Sequence, residues 1–402
     1  MVVNKPRLQV LLNDVSAYGR AFLEDDESAR SALVTQARAL LAELENPNET
    51  ITWLAWAEPT RRAALEIAIA IGLFPQLTSP RTASQLSMTC KTSSRLMERL
   101  LRHLVATSVI VKSGPSSFAA TPLSRALCDP TCSAALTWSS GLPAPVLARL
   151  PAYLAESRYR EPQDPSKGPF QFAFNTDMTP WQWAATQKGL PQAFSQHMSG
   201  YHAERPSWMD EGFYPVRTRL GDGMKSRDNE VLIVDVGGGL GHDLEELKTK
   251  CPGLAAKGRL VLQELRQTAR SAKMSRPWLE VIEHDFFKPQ PIKNARTYYM
   301  HSVLHDWSDE NCKRILRQLK AAMEPSYSKI LINENVVPET GASWKMTSLD
   351  WIMMATGASA ERTETQWREL ITSVGLRVEG IWTKDPSCES LIEVTRDEVA
   401  RL

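Results

Sequence analysis

The stretch Val231–Gly241, VLIVDVGGGLG, runs from an apolar segment through Asp235 into glycines at 237, 238, 239 and 241. A short run rich in valine, leucine and isoleucine is what a strand covered on both faces requires. Glycines directly behind it let the backbone turn tightly and approach a ligand closely. The expectation is a parallel α/β sheet whose carboxyl edge carries a binding site. Further short apolar runs follow: RLVLQE at 259–264, LEVIE at 279–283, RTYYM at 296–300 and KILINE at 329–334, with helical patterns such as Asp309–Met323 between them. This alternation extends the α/β domain over residues 230–402.

Glu264 closes the second run, where an acidic side chain can bind both hydroxyls of a ribose. The third run leads into EHDFF, which puts Asp285 and Phe286 at the same sheet edge, a carboxylate for an adenine amino group and a ring to cover the base. The loop lacks the full G-x-G-x-x-G spacing and no arginine cluster awaits a pyrophosphate. Adenosine with a short, uncharged-to-cationic arm fits better than a dinucleotide, with Asp235, Gly237, Gly238 and Gly239 as the cradle.

A second concentration of chemistry is Tyr298–Glu310, YYMHSVLHDWSDE. His305 stands at the mouth of the same edge and carries the side chain whose proton affinity lies nearest neutral pH, so it is the candidate general base. Asp306 either supports the ring or caps nearby amides. Ser308, Asp309 and Glu310 read as an N-cap with favourable first-turn charge. Glu334 ends the fifth run and Glu361 lies in AERT. One carboxylate bonded to imidazole Nδ1 would orient the ring, leave Nε2 free and raise its basicity, although Glu361 also suits the start of a helix at ERTETQ.

The first part of the chain is helical: apolar spacing over Ser28–Leu44 and Thr60–Ile71, a short helix at Thr82–Met88, then a longer one with Leu96, Leu100, Leu101, Leu104 and Val105 as its apolar stripe. VIVKSG and FAATPLSRAL complete a winged-helix outline over residues 1–130. A DNA reader would present more basic residues on its recognition helix than Arg95, Arg99 and Arg102. Residues 131–229 read as a helical connector that helps form an acceptor pocket, with Trp138, Trp181, Trp183 and Trp208 as aromatic lining. The 402 residues hold 47 basic against 46 acidic side chains, which argues against nucleic acid as the main partner. The six cysteines show no metal-ligand spacing, so no metal is expected, and free intracellular thiols are the reading. Met1–Val10 lacks a signal-peptide pattern and the apolar stretch Ala63–Phe74 carries Glu66 and is short of a membrane span. A cytoplasmic protein with no membrane partner is expected.

HDWSDENCKRILRQLKAAM, KILINENVVPE and ERTETQWRELITSVGL, in this order, resemble the plant and fungal class I O-methyltransferases related to the caffeate and flavonoid enzymes. LMERLLRHLVATSVI and TPLSRAL resemble that family's winged-helix dimerisation domain. The resemblance implies a Rossmann-like methyltransferase sheet, S-adenosylmethionine as cofactor, a small hydroxylated acceptor and a homodimer. It places Gly237 and Gly239 at the methionine part of the cofactor, Glu264 at the ribose, and Asp285 with Phe286 at the adenine. His305 takes the place of the base, flanked by Glu334 and Glu361, while Phe194, Met198, Tyr201, Met353 and Gly357 take those of acceptor contacts. Glu264 stands where aspartate is more usual, Arg266 where proline is frequent, and His301, a cofactor-side position, where lysine or arginine is frequent.

The expected reaction is methyl transfer to a hydroxyl of a small aromatic or polyketide-like metabolite. The alternatives are a cofactor-binding enzyme of the same fold that catalyses a dehydration or pericyclic step without methylating, and, more remotely, a winged-helix regulator that senses the adenosyl ligand and binds DNA.

Overall fold

The computed structural model describes residues 4–203, 205–225 and 229–396, and the chain divides into two compact units, Met1–Ser133 and Ala134–Leu402. In the first unit the helices Lys5–Leu23 and Ala29–Leu44 pack on each other. The first of these had no counterpart in the sequence reading, because its apolar residues are too diluted by polar ones to form a clear stripe. Helix Glu58–Ala70, helix Ala83–Thr89 and helix Ser94–Ala106 then lead into a small antiparallel sheet of β1 (Arg81–Thr82), β2 (Ile110–Lys112) and β3 (Ser117–Ala120), in the order β1-β3-β2. Thr82 and Gln85 form a capping box that starts the second of these helices where the chain leaves β1. The winged-helix outline is therefore present. Its long helix buries Met97, Leu100, Leu101 and Leu104, whereas Leu96 is 48% exposed. The stripe centres on positions 97, 100, 101 and 104, and Leu96, although four residues before Leu100, lies about a quarter turn from that centre on its exposed flank.

The second unit holds a sheet of seven strands: β4 (Val231–Val236), β5 (Arg259–Glu264), β6 (Glu280–Glu283), β7 (Thr297–His301), β8 (Lys329–Glu334), β11 (Arg377–Trp382) and β12 (Ser390–Thr395). Two short strands, β9 (Val336–Val337) and β10 (Arg362–Thr363), pair in parallel beside it. The large sheet runs β11-β12-β8-β7-β4-β5-β6, parallel except for the antiparallel pairings of β12 with β8 and of β11 with β12. That closing pair was not read from the sequence, because Arg377, Glu379 and Glu393 break up its apolar runs.

Every residue of β4 is buried, as its composition requires. Val234 and Val236 face a core with Ile315, Leu316 and Leu319 of helix Asp309–Ala322 and with Trp367 and Ile371 of helix Glu364–Ser373. Leu232 and Ile233 join the other core, with Leu244 and Leu247 of helix His242–Lys250. Chain order turns back between β4 and β7: β5 and β6 build outward on one side, β7 and β8 on the other. At such a switch point the connections leave in opposite directions and open a crevice at the strand ends. Both chemistry-bearing stretches, the glycine loop after β4 and the His305 segment after β7, emerge there.

Candidate active site

Asp235, the last residue but one of β4, has its carboxylate fully buried, and neither oxygen has a hydrogen-bond partner among the described residues. Burial, reinforced by the neighbouring Asp243 carboxylate, pushes its pKa well above the usual aspartate value. A Cβ on Gly238 would stand 2.1 Å from Asp235 Oδ2, so only glycine fits there. Gly239 adopts φ 59° with open space where a Cβ would point. Glu264, at the end of β5, accepts the Gly239 amide at 3.1 Å and the Leu265 amide at 2.7 Å, so it also holds the loop in shape. Phe286 packs beside Gly237 and Trp307, while Asp285 accepts the Phe287 amide through Oδ1. Arg276, which sequence reasoning passed over, donates to the Leu240 carbonyl at 2.9 Å and braces the loop from behind.

His301, at the end of β7, lies between carboxylates: Nδ1 is 2.7 Å from Asp243 and Nε2 3.3 Å from Glu389. Burial alone would lower its pKa, but Asp243 and Glu389 outweigh that and hold it well above the ordinary histidine value. Both ring nitrogens thus face carboxylates, which favour the protonated imidazole. Neither Asp243 nor Glu389 announced itself in sequence, since the one opens a helix and the other lies in the edge strand's turn.

Beyond β7, Ser302 adopts φ 49° and redirects the chain into the short helix Leu304–Asp306. Glu334, fully buried at the end of β8, accepts three successive amides through Oε1: Val303 at 2.9 Å, Leu304 at 2.7 Å and His305 at 3.3 Å. It fixes the backbone of the segment. The ring is held by Glu361, whose Oε1 lies 2.7 Å from His305 Nδ1, with Glu334 Oε2 3.8 Å from the same nitrogen. The two carboxylates therefore divide the work that one was expected to do. Nε2 faces Asp306 at 3.7 Å, beyond hydrogen-bond reach.

Burial would depress the pKa of His305, but Glu334, Asp306 and Glu361 together raise it to about 10. Burial pushes Glu334 itself up to about 7, against the pull of His305. His305, Glu334 and Glu361 also present three ligand-type atoms within 4.8 Å of one another, a set that could hold a cation. The 2.7 Å Nδ1–Oε1 contact has the length of a hydrogen bond between the two groups.

Glu361 precedes the helix Glu364–Ser373, whose cap is Thr363 paired with Gln366, so the capping role falls to its neighbours. Ser308 makes no side-chain cap bond, and Asp309 instead accepts Arg362 Nε at 2.9 Å. Ser308 is the N-cap residue and Asp309 and Glu310 lie in the first turn, as expected, so the bond to Arg362 is added to the first-turn charge of Asp309. Gly357 ends helix Trp344–Gly357 where a Cβ would stand 3.3 Å from the Asp306 carbonyl, so its small size brings that helix against the His305 turn. Met353 lies one turn earlier on the same helix.

Phe194 packs on Trp138 at 4.7 Å and on Trp181 at 4.9 Å between ring centroids. Met198 follows on the same helix, and the Tyr201 side chain lies outside the described residues. Of the other two tryptophans expected in an aromatic lining, Trp183 borders the same apolar cluster as Trp138. Trp183 stacks among Phe170 and Phe174, and Trp208 is core, donating to the Tyr299 hydroxyl at 3.0 Å.

A family model described as an O-methyltransferase domain matches residues 228–377, and one described as an O-methyltransferase dimerisation domain matches residues 60–130. The O-methyltransferase mpaG of Penicillium brevicompactum is 36% identical over 390 residues, covering 95% of this chain and 97% of that protein. The demethylsterigmatocystin 6-O-methyltransferase of Aspergillus parasiticus is 35% identical over 324 residues, 80% of this chain and 81% of its own. Among solved structures, LepI in complex with S-adenosylmethionine superposes with a TM-score of 0.87 at 28% identity, covering 97% of this chain and 99% of that one. The mitomycin 7-O-methyltransferase MmcR does so with a TM-score of 0.68 at 25% identity, covering 90% and 99%. With both domains matched and the site geometry in place, the chain belongs to the S-adenosylmethionine-dependent O-methyltransferases of the fungal secondary-metabolite family, with an N-terminal dimerisation domain.

Proposed function

We propose that this enzyme methylates a hydroxyl of a small aromatic or polyketide-like metabolite, with His305 as general base. The observation that carries the reading is the His305–Glu361 hydrogen bond at 2.7 Å, with Glu334 binding the backbone amides beneath. An imidazole held through Nδ1 keeps Nε2 as its proton-accepting atom. The relatives support the acceptor class: one of them is a demethylsterigmatocystin 6-O-methyltransferase.

The residues at the switch point fit the cofactor. Asp235 offers an unpartnered buried carboxylate where the glycine turn gives close access, and Glu264 a second one at the next strand end. These would hold the cationic amino-acid arm and the ribose, with Phe286 against the adenine and His301 offering charge to the carboxylate of the arm. When bound, S-adenosylmethionine supplies an already activated methyl group. The protein's contribution is then positioning and proton removal. As the acceptor oxygen bonds the methyl carbon and the sulfur–methyl bond breaks, with neutral S-adenosylhomocysteine as the leaving group, His305 Nε2 would take the hydroxyl proton, and Glu361 and Glu334 would stabilise the imidazolium that results. Phe194, Met198, Tyr201, Met353 and Gly357 are assigned to the acceptor side. The dimerisation domain and the exposed apolar residues Trp53, Leu54 and Trp56 support a homodimer.

A second reading has one specific support: a structure described as a pericyclic reaction enzyme matches with a TM-score of 0.87 at 28% identity over 97% of this chain. The fold therefore does not by itself decide between methylation and a rearrangement helped by the sulfonium charge. Incubation with methyl-labelled S-adenosylmethionine and a panel of phenolic metabolites, followed by mass spectrometry, separates the two. Label on an acceptor oxygen is the expected result, whereas substrate conversion without label assigns the second reading.

A further inference from the structure

We propose that Arg362 is a positioning residue for the general base, holding the His305 turn from its carbonyl side while Glu334 holds it from its amide side. The inference rests on the reading of His305 as base. Arg362 is buried, with its guanidinium 5.1 Å over the Trp367 ring. It donates to the Leu304 carbonyl at 3.2 Å through one terminal nitrogen and to the Trp307 carbonyl at 2.9 Å through the other, with Nε on Asp309 at 2.9 Å. Leu304 and Trp307 bracket His305 and Asp306 in the chain, so this fork spans the turn that carries the base. On the opposite face the Val303, Leu304 and His305 amides all end on Glu334. The turn is clamped at both polar faces by buried groups of opposite charge.

Placement and sequence adjacency explain why the clamp and the ring contact belong together. Arg362 follows Glu361, which bonds His305 Nδ1, and the parallel pairing of β10 with β9 sets Arg362 opposite Val336, two residues beyond Glu334. One short register thus fixes both carboxylates and the guanidinium relative to the ring. The fork is what a planar guanidinium provides and an ammonium does not. Arg362→Lys keeps the charge and loses one of the two carbonyl bonds, so it tests geometry apart from electrostatics. A loosened turn lengthens the Nδ1–Glu361 contact, and the proton affinity of His305 moves toward that of an ordinary histidine.

The decisive measurement is the titration of His305 in the full-length protein labelled at histidine Cε1, its NMR signal identified among the seven histidines by its loss in His305→Gln. Arg362→Lys is expected to lower the His305 midpoint by about one pH unit or more, the size of shift that a neighbouring charge commonly produces. S-adenosylhomocysteine affinity measured by calorimetry should stay within about twofold, since Arg362 bonds the base-bearing turn and not the glycine loop. With an acceptor that the wild type methylates, kcat should fall about tenfold or more at constant KM for the methyl donor, as expected when a reacting group is misplaced. Should Arg362→Lys fail to fold, Asp309→Asn removes the outer anchor from a 64% exposed carboxylate and should shift the midpoint in the same direction by less. An unchanged His305 midpoint in the folded variants overturns the proposal. Full turnover by His305→Ala would instead overturn the base assignment and leave the titration result standing.

Discussion

At the scale of single side chains, His305 is a buried imidazole among carboxylates, and its chemistry follows from which atom each of them reaches. Glu361 takes Nδ1, Glu334 takes the backbone amides, and Nε2 is left toward Asp306. Truncation to His305→Ala should leave S-adenosylhomocysteine binding intact and cut methyl transfer by about 10²- to 10⁴-fold, the usual contribution of a positioned base; wild-type turnover would remove His305 from the mechanism. The pH dependence has a definite sign. Proton removal needs neutral imidazole, and the carboxylates hold His305 up at about 10, so the rate should climb from neutral into alkaline pH. Glu361→Gln deletes one negative neighbour and should move that rising limb to lower pH, with a lower plateau, since a weaker base results. A limb that stays in place in a pH–rate profile would show that another group is being titrated.

Elements impose their own constraints on this chemistry. The glycine loop stands over Asp235 so closely that Gly238→Ala would drive a methyl group into the carboxylate. The loop must shift, at about 1–3 kcal/mol as for other overpacked sites, and S-adenosylhomocysteine affinity should drop at least about tenfold on the same energy scale; calorimetric binding equal to wild type would contradict this. At the far edge of the sheet, Glu393 of β12 is fully buried and accepts the Tyr214 hydroxyl at 2.6 Å, Arg219 through both oxygens at 3.0 Å each, and Lys329 at 2.6 Å. This cluster ties the Arg217–Gly221 turn to the antiparallel end of the sheet. Glu393→Gln strands two cations and should destabilise the fold on the order of 3 kcal/mol, read as a fall in unfolding midpoint. An unchanged midpoint would mean that water compensates them.

For the whole molecule, the first unit exposes Trp53, Leu54 and Trp56 on and beside the turn Trp53–Ala57, an apolar surface that a monomer seldom leaves open. Sedimentation should give twice the mass of one chain. The pair Trp53→Glu and Trp56→Glu should shift the protein toward monomer while the second unit keeps its unfolding transition. A monomeric wild type would show that this surface has another purpose. Among the described residues no helix is long and apolar enough to cross a membrane.

What the sequence determined by itself is whatever depends on local order. Three strands, VLIVDV, RLVLQE and KILINE, fall on the residues read from their apolar runs, because a strand buried on both faces has no alternative composition. The glycine loop, Glu264 and His305 were legible for the same reason: each lies at the end of a strand or within four residues of it, so its place at the sheet edge follows from chain direction. The antiparallel β11 and β12 escaped notice because charged residues interrupt their pattern, Arg377 and Glu379 paired with each other and Glu393 with partners far along the chain. Only the tertiary structure decided which carboxylate takes the ring and which the backbone, that Asp309 bonds Arg362 besides placing its charge in a first helical turn, and that Trp208 belongs to the core. These assignments join residues such as Glu334 and His305, or Asp309 and Arg362, that are far apart in sequence. Hydrogen-bond reach is set by how strands and helices pack in space, and no local pattern encodes it.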